Sequence, residues 1–216
     1  MTKTKTNSKG TLTRREREKA AHRRDILEAA ERVFASKGFE GATMELIARE
    51  SEFSVGALYN FFASKEVLWE EVITRIGEDF VETFRAETRT ARGPLEAIVT
   101  MIRLRLTHVQ QHVAFRRVVL EATPGSRISP AAAIPQSCLG LYDTYLDESA
   151  ALFKAAMDRG LLRKANAIYV ALTLEGAINA FEAFWDRRGM TLPVTEQARL
   201  VRQHFLTPLE LRKGER

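Results

Sequence analysis

His108 and His112 stand four residues apart, the spacing that sets two imidazoles on one helix face and within reach of one metal ion. A metal site needs a third ligand in register, or a Glu beside the first His, and the sequence offers neither. The pair therefore reads as structural. Cys138 is the single cysteine, which rules out an internal disulfide framework and a cysteine-rich zinc module. A lone thiol at a helix start reads as inert. No phosphate-cradling glycine loop, nucleophile–base pair or set of convergent carboxylates is present. The expectation is a protein that is not an enzyme and holds neither cofactor nor metal.

Binding chemistry is better represented. Residues 43–62 read TMELIARESEFSVGALYNFF, two short helical patterns joined by Ser51, Glu52 and Phe53, which is helix-turn-helix spacing. Thr43 and Ser54 are placed as N-caps. The first turn after Ser54 holds Val55, Gly56 and Ala57, small enough for backbone N–H groups to approach phosphates or base edges. Leu58 and Phe62, four apart, anchor that helix, which leaves Tyr59 and Asn60 pointing outward. Tyr59 suits a phosphate contact with partial base contact. Lys65 falls on the first turn of the following helix, where the macrodipole disfavours a cation and an external phosphate would reverse the sign.

The elements that must hold these groups are helical throughout. Apolar spacing at Ile26, Ala29, Ala30, Val33 and Phe34 predicts a first helix from about Arg14 to Lys37, stopped by Gly38. Leu68, Val72, Ile76, Phe80 and Phe84 recur every four residues along a long helix from Lys65 to about Thr88. Gly93-Pro94 opens the next helix, a shorter one covers His112–Ala122, and the proline-rich segment Thr123–Pro135 reads as a loop. Helices around Leu139–Met157, from Asn166 to Gly189, and from about Thr195 complete the pattern. No strand pair or repeat is found. The predicted fold is all-α with about nine helices.

Composition narrows the class further. The chain of 216 residues carries +5, but residues 1–24 hold nine Lys or Arg against two Glu, a net of +7, so the rest sums to −2. A basic Thr/Ser/Lys-rich leader reads as an arm drawn to a polyanion or as a solubilising tail. No run reaches the roughly 18 apolar residues of a membrane span, and the first ten residues have no apolar signal core. The expectation is a soluble cytoplasmic protein without a membrane partner.

The run from Phe34 to Leu68 resembles the N-terminal DNA-binding domain of the TetR family of transcriptional regulators. The marks that carry the likeness are Phe34, Gly38-Phe39, Thr43, Ile47-Ala48, Ser54, Gly56, Leu58-Tyr59, Phe62 and Ser64-Lys65-Glu66. The resemblance implies a homodimer built through the last two helices, and DNA contacts from Thr43, Ser54, Val55, Gly56, Tyr59, Asn60 and Lys65. It further implies a small-molecule effector, of unknown identity, in the C-terminal bundle. Each protomer would place its second helix-turn-helix helix in a major groove of a palindromic double-stranded operator. Two positions depart from the family pattern. Ser51-Glu52 replaces the usual Ala-Gly of the turn, and Phe61 stands where Tyr or His is common. Glu52 then meets a steric cost if its φ is positive.

In domain terms the reading is a basic disordered arm over 1–17, a DNA-binding domain over 18–65 and an effector-binding and dimerisation domain over 66–210. The expected effector lining is Phe84, Met101, Leu104, His108, Phe115, Tyr142, Asn179, Phe181 and Glu182, with Phe80 and Trp185 alongside. Arg103, Arg105, Arg116 and Arg117 flank it, either as solvated faces or as partners for an acidic effector. Small residues in the penultimate helix (Ala167, Ala171, Gly176, Ala177, Ala180) permit close helix–helix approach. The function expected is a ligand-released repressor; the rival is a DNA-organising helix-turn-helix protein with no effector, which a filled bundle core would favour.

Overall fold

The computed structural model describes residues 13–122 and 135–211, and among these lie nine α-helices and no strand. The chain divides into two compact units, one up to Val72 and one from Ile73.

In the first unit, α1 (Arg14–Gly41) begins on a capping box. Thr13 accepts from the Glu16 N–H at 3.3 Å, and the Glu16 carboxylate accepts from the Thr13 N–H at 2.7 Å. Arg14, Arg15 and Arg17 are thus helical, which corrects the arm expected over 1–17 at its C-terminal end; residues 1–12 lie outside the described residues. Gly38, at φ +72°, breaks α1 one turn before its end. Then follow α2 (Met44–Glu50), α3 (Val55–Phe61) and α4 (Lys65–Arg89), and the division between units falls within α4. The predicted apolar positions Ile26, Phe34, Ile47, Leu58, Phe62 and Leu68 are all buried. Trp69 closes this core edge-on against Phe34 and Phe39, at ring separations of 4.8 and 5.2 Å.

Arg23, counted with the basic leader in the sequence, is instead an internal fastener. Its guanidinium donates to the Phe61 carbonyl at 3.2 Å, pairs with Glu71 and lies 4.5 Å over the Phe62 ring. An orphan carbonyl at the end of α3 is thereby satisfied. Between α2 and α3 the chain turns on Ser51 and Glu52, and Glu52 has φ +61°. The Phe53 N–H returns to the Ala48 carbonyl at 2.9 Å.

The second unit contains α5 (Pro94–Gln111), α6 (Val113–Ala122), α7 (Leu139–Asp158), α8 (Ala167–Arg187) and α9 (Val194–Val201). A wider π turn (Arg202–Leu206) and a short 3₁₀ turn (Thr207–Leu209) continue α9. The loop expected over 123–135 lies, up to residue 134, outside the described residues. Helix α7 packs against α5 and α8, and α5 also packs against α9. Phe84, Ile98, Met101, Phe153, Leu174 and Ile178 are buried in this core. The chain after α9 is clasped to the segment before α8: Arg163 N–H donates to the Leu209 carbonyl at 2.8 Å and Leu211 N–H to the Leu161 carbonyl at 3.1 Å.

By length and composition α8 could cross a membrane, contrary to the reading of the bare apolar runs, and only 22% of its most apolar stretch is buried. Its exposed side carries Tyr169, Leu172, Gly176, Ala180 and Phe184 at helical spacing.

A left-handed Glu52 in the helix-turn-helix turn is strained by its Cβ. Glu52→Gly is expected to stabilise the first unit by about 0.5–1 kcal/mol, the relieved strain exceeding the added freedom of the unfolded chain. Chemical denaturation followed by circular dichroism measures it; an unchanged or lower midpoint would contradict the strain.

Candidate nucleic-acid interface and bundle cavity

Two side chains aim the α2–turn–α3 segment. Thr43 accepts from the Leu46 N–H at 3.3 Å and Ser54 from the Ala57 N–H at 3.1 Å, so both predicted N-caps are formed. With Leu58 fully buried, the opposite side of α3 is turned out: Ser54, Gly56, Tyr59 and Asn60 are exposed, Tyr59 by 51%, and Val55 is half-buried. Thr43 is exposed beside them. A Cβ at Gly56 would meet no atom within 4 Å, so nothing inside the protomer requires a glycine there. Helix α3 contains no charged residue.

Lys65 differs from its sequence reading. Rather than standing free at the start of α4, its Nζ donates to the Phe39 carbonyl at 2.9 Å and lies 4.3 Å over the Phe39 ring. It serves the last turn of α1 beyond the Gly38 break, where a cation meets unpaired carbonyls. An ammonium has three N–H donors, so two remain. Phe61 is half-buried beside Phe53, with ring centroids 6.4 Å apart, and its backbone carbonyl receives Arg23.

The second unit holds a partly open cavity of about 270 Å³ lined by α4, α5, α6, α7 and α8. Of the expected lining it brings together His108, Phe115, Tyr142 and Asn179, with Phe80. The remainder are corrections. Phe84 and Met101 are only 2% and 1% exposed and belong to the solid core, and Leu104 is likewise buried away from the cavity. Phe181 stacks on Trp185 at 5.4 Å, outside it. Glu182 is drawn off by Arg116, at 2.6 Å, and its Oε1 is buried without a hydrogen-bond partner. These positions share the helical periodicity of true lining residues; only the turn of each helix about its axis separates core from cavity.

The polar half of the lining is Arg105 and Arg116, which the sequence placed only on its flanks, with Tyr145 and Glu175, which it missed. Arg105 Nε donates to Glu175 Oε2 at 3.0 Å and its Nη2 to Asn179 Oδ1 at 3.3 Å. Tyr145 donates to Glu175 Oε1 at 2.7 Å, and Arg116 Nη2 reaches the same Asn179 oxygen at 3.3 Å. Arg103 and Arg117, by contrast, pair with Glu87 and Asp186 on exposed faces.

Burial opposes the charge on Arg105, but Glu175, Glu182 and Tyr145 hold its pKa above the ordinary value. His108 is pushed down to about 3, first by burial and then by Arg105, His112 and Arg116, so its imidazole is neutral at physiological pH. Burial raises the pKa of both Tyr142 and Tyr145. The His108 and His112 rings are 4.8 Å apart. Among the described residues no three His, Cys, Asp or Glu side chains come together as a metal-binding group. Cys138 is buried, 3.2 Å from the Thr74 hydroxyl.

Comparison with known proteins places the first unit. Residues 26–72 match the family model described as bacterial regulatory proteins, tetR family. An HTH-type transcriptional regulator of Bacillus subtilis, YfiR, is 47% identical over 49 residues, which are 23% of this chain and 24% of that protein. The HTH-type transcriptional repressor KstR2 of Rhodococcus jostii is 32% identical over 85 residues, 38% of this chain and 42% of its own. The matches thus span less than half the length of these curated relatives. In fold, the chain is similar to the fatty acid degradation regulator FadR of Bacillus halodurans, with TM-score 0.72 and 18% identity over 88% of this chain and 97% of that one.

Removing one partner of the Arg105–Glu175 pair strands the other, since the two side chains are 15% and 7% exposed. Glu175→Ala is expected to cost about 3–5 kcal/mol in urea denaturation, while Arg105→Met combined with Glu175→Met costs much less than either alone. Additive single and double losses would show that the pair is not coupled.

Proposed function

We propose that the protein is a sequence-specific DNA-binding transcriptional regulator, a reading supported by the match of residues 26–72 to the family model of bacterial regulatory proteins, tetR family. It acts as a homodimer and as a repressor whose operator binding is released by a small molecule in the cavity of the second unit. The observation that carries the reading is the outer side of α3. Capped by Ser54, open at Gly56 and bearing Tyr59 and Asn60, it presents backbone N–H groups and uncharged polar side chains that the protomer itself does not use. In the complex, residues 54–60 enter the major groove, Thr43 caps α2 against a phosphate, and Lys65 adds its two remaining donors. The exposed side of α8, with Tyr169, Leu172 and Phe184 around the small Gly176 and Ala180, is the face that a second copy covers, together with α9. Two half-sites about 34–36 Å apart, or a multiple of that, follow from a two-fold dimer. The cavity of about 270 Å³ favours the effector-released reading over a DNA-organising protein with a filled bundle.

Binding to a palindromic site upstream of the protein's own or a neighbouring gene, measured by fluorescence anisotropy, tests this. Tyr59→Ala should weaken it by about 1–3 kcal/mol with an unchanged melting profile. Gly56→Ala should raise helix stability by about 0.5 kcal/mol and yet weaken binding, because the new methyl meets DNA and not protein. No sequence preference, or a Gly56→Ala variant that binds as well as the parent, would overturn the interface. Deleting residues 1–12, with Lys3, Lys5 and Lys9, leaves the Thr13 cap in place. It should reduce the slope of log K against log salt by about 0.9 for each phosphate that the leader neutralises. An unchanged slope would remove the leader from the interface.

A further inference from the structure

The cavity of the second unit has a charge pattern that selects its ligand. Two guanidiniums reach it, and each is already answered by a carboxylate of α8: Arg105 by Glu175, and Arg116 by Glu182. Asn179 Oδ1 accepts from both, and Tyr145 occupies the other oxygen of Glu175. The four charged groups cancel. A carboxylate or phosphate entering here meets no net positive charge: it would have to share guanidiniums that Glu175 and Glu182 already neutralise, with the Glu175 carboxylate lining the same cavity. A cation fares no better. The Arg105 and Arg116 guanidiniums line the same cavity, and Glu175, the carboxylate that lines it, is already held by Arg105 and Tyr145, so a positive charge beside His108 finds repulsion and no unpaired acid.

Two uncharged polar groups of the lining are left over. Neither the Tyr142 hydroxyl nor the His108 imidazole has a hydrogen-bond partner among the described residues, and both line the cavity. The walls around them are apolar, with Ile73, Ile76, Phe80 and Phe115. At protein packing density about 270 Å³ accommodates roughly ten to fifteen non-hydrogen atoms. We propose that the cavity takes a compact, uncharged, largely apolar molecule bearing one hydroxyl or carbonyl, hydrogen-bonded by Tyr142 and His108, and that it rejects carboxylates and quaternary ammonium ions of the same size. This deepens the effector reading and rests on it, but it is a statement about binding that needs no DNA.

The test uses the full chain and four size-matched probes: acetophenone, cumene, benzoate and phenyltrimethylammonium, each titrated by calorimetry. Acetophenone should bind at least tenfold more tightly than either ion and more tightly than cumene. Tyr142→Phe, a conservative change at a half-buried side chain, should remove most of the advantage over cumene while leaving cumene affinity unchanged. Ile73→Trp, which fills the cavity, should abolish acetophenone binding; its melting curve shows whether the fold is kept, and the Tyr142→Phe result stands independently. Benzoate or phenyltrimethylammonium binding as well as acetophenone, none of the four binding, or acetophenone binding undiminished in a folded Ile73→Trp protein would each overturn the proposal. A chain that selects acetophenone but shows no sequence-preferring DNA binding would instead refute the regulatory function and leave the ligand class standing.

Discussion

Two carboxylates on α8, Glu175 and Glu182, sit inside the second unit, and the arrangement around them follows from the need to neutralise them there. A buried carboxylate without a partner is among the most expensive features a small domain can carry. Arg105 on α5 and Arg116 on α6 meet that need, and their forked guanidiniums, each also reaching Asn179, fix how these helices turn toward α8. Tyr145 on α7 is held to the same group by its hydroxyl. Four helices are thereby keyed to one polar node, and the apolar side chains beside it leave the cavity rather than close over it.

The same economy of cations runs through the first unit. Arg23 and Lys65 would count, from sequence, as charge on offer to a polyanion. In the fold they finish helices: Arg23 answers the end of α3 and Lys65 the last turn of α1. The outer side of α3 is left electrically neutral. Under the proposed function, sequence-reading would fall to the uncharged surface of α3 and long-range attraction to basic residues elsewhere in the chain.

Much of this is legible in the sequence because it depends on near neighbours in the chain. Caps at Thr43, Ser54 and Asn166, the break at Gly38, and the four-residue apolar stride of α4 are local facts, and the structure reproduces each. The strained φ of Glu52 belongs with them, since it follows from the geometry of the turn. What escapes is fixed at a distance. Arg105 and its partner are 70 residues apart, and nothing near Arg105 distinguishes it from Arg103, which faces outward. Phe84 and Met101 have the period of cavity residues, but a rotation of their helices puts them in solid core. Lys65 looks like a cation awaiting an external partner because its actual partner, the Phe39 carbonyl, is backbone 26 residues away and carries no mark in the sequence.

The paired charges also have an evolutionary reach. Because each arginine at the cavity is answered by one acid, a single substitution would unbalance the site by a whole charge. A descendant that lost Arg105 would keep an unanswered Glu175 and become a receptor for cations; one that lost Glu175 would become a receptor for anions. The stability cost of either step would have to be met by the new ligand itself, which would tie folding to the presence of the signal. Such a scaffold would change specificity by switching charge class in one move, not by drifting through intermediate preferences.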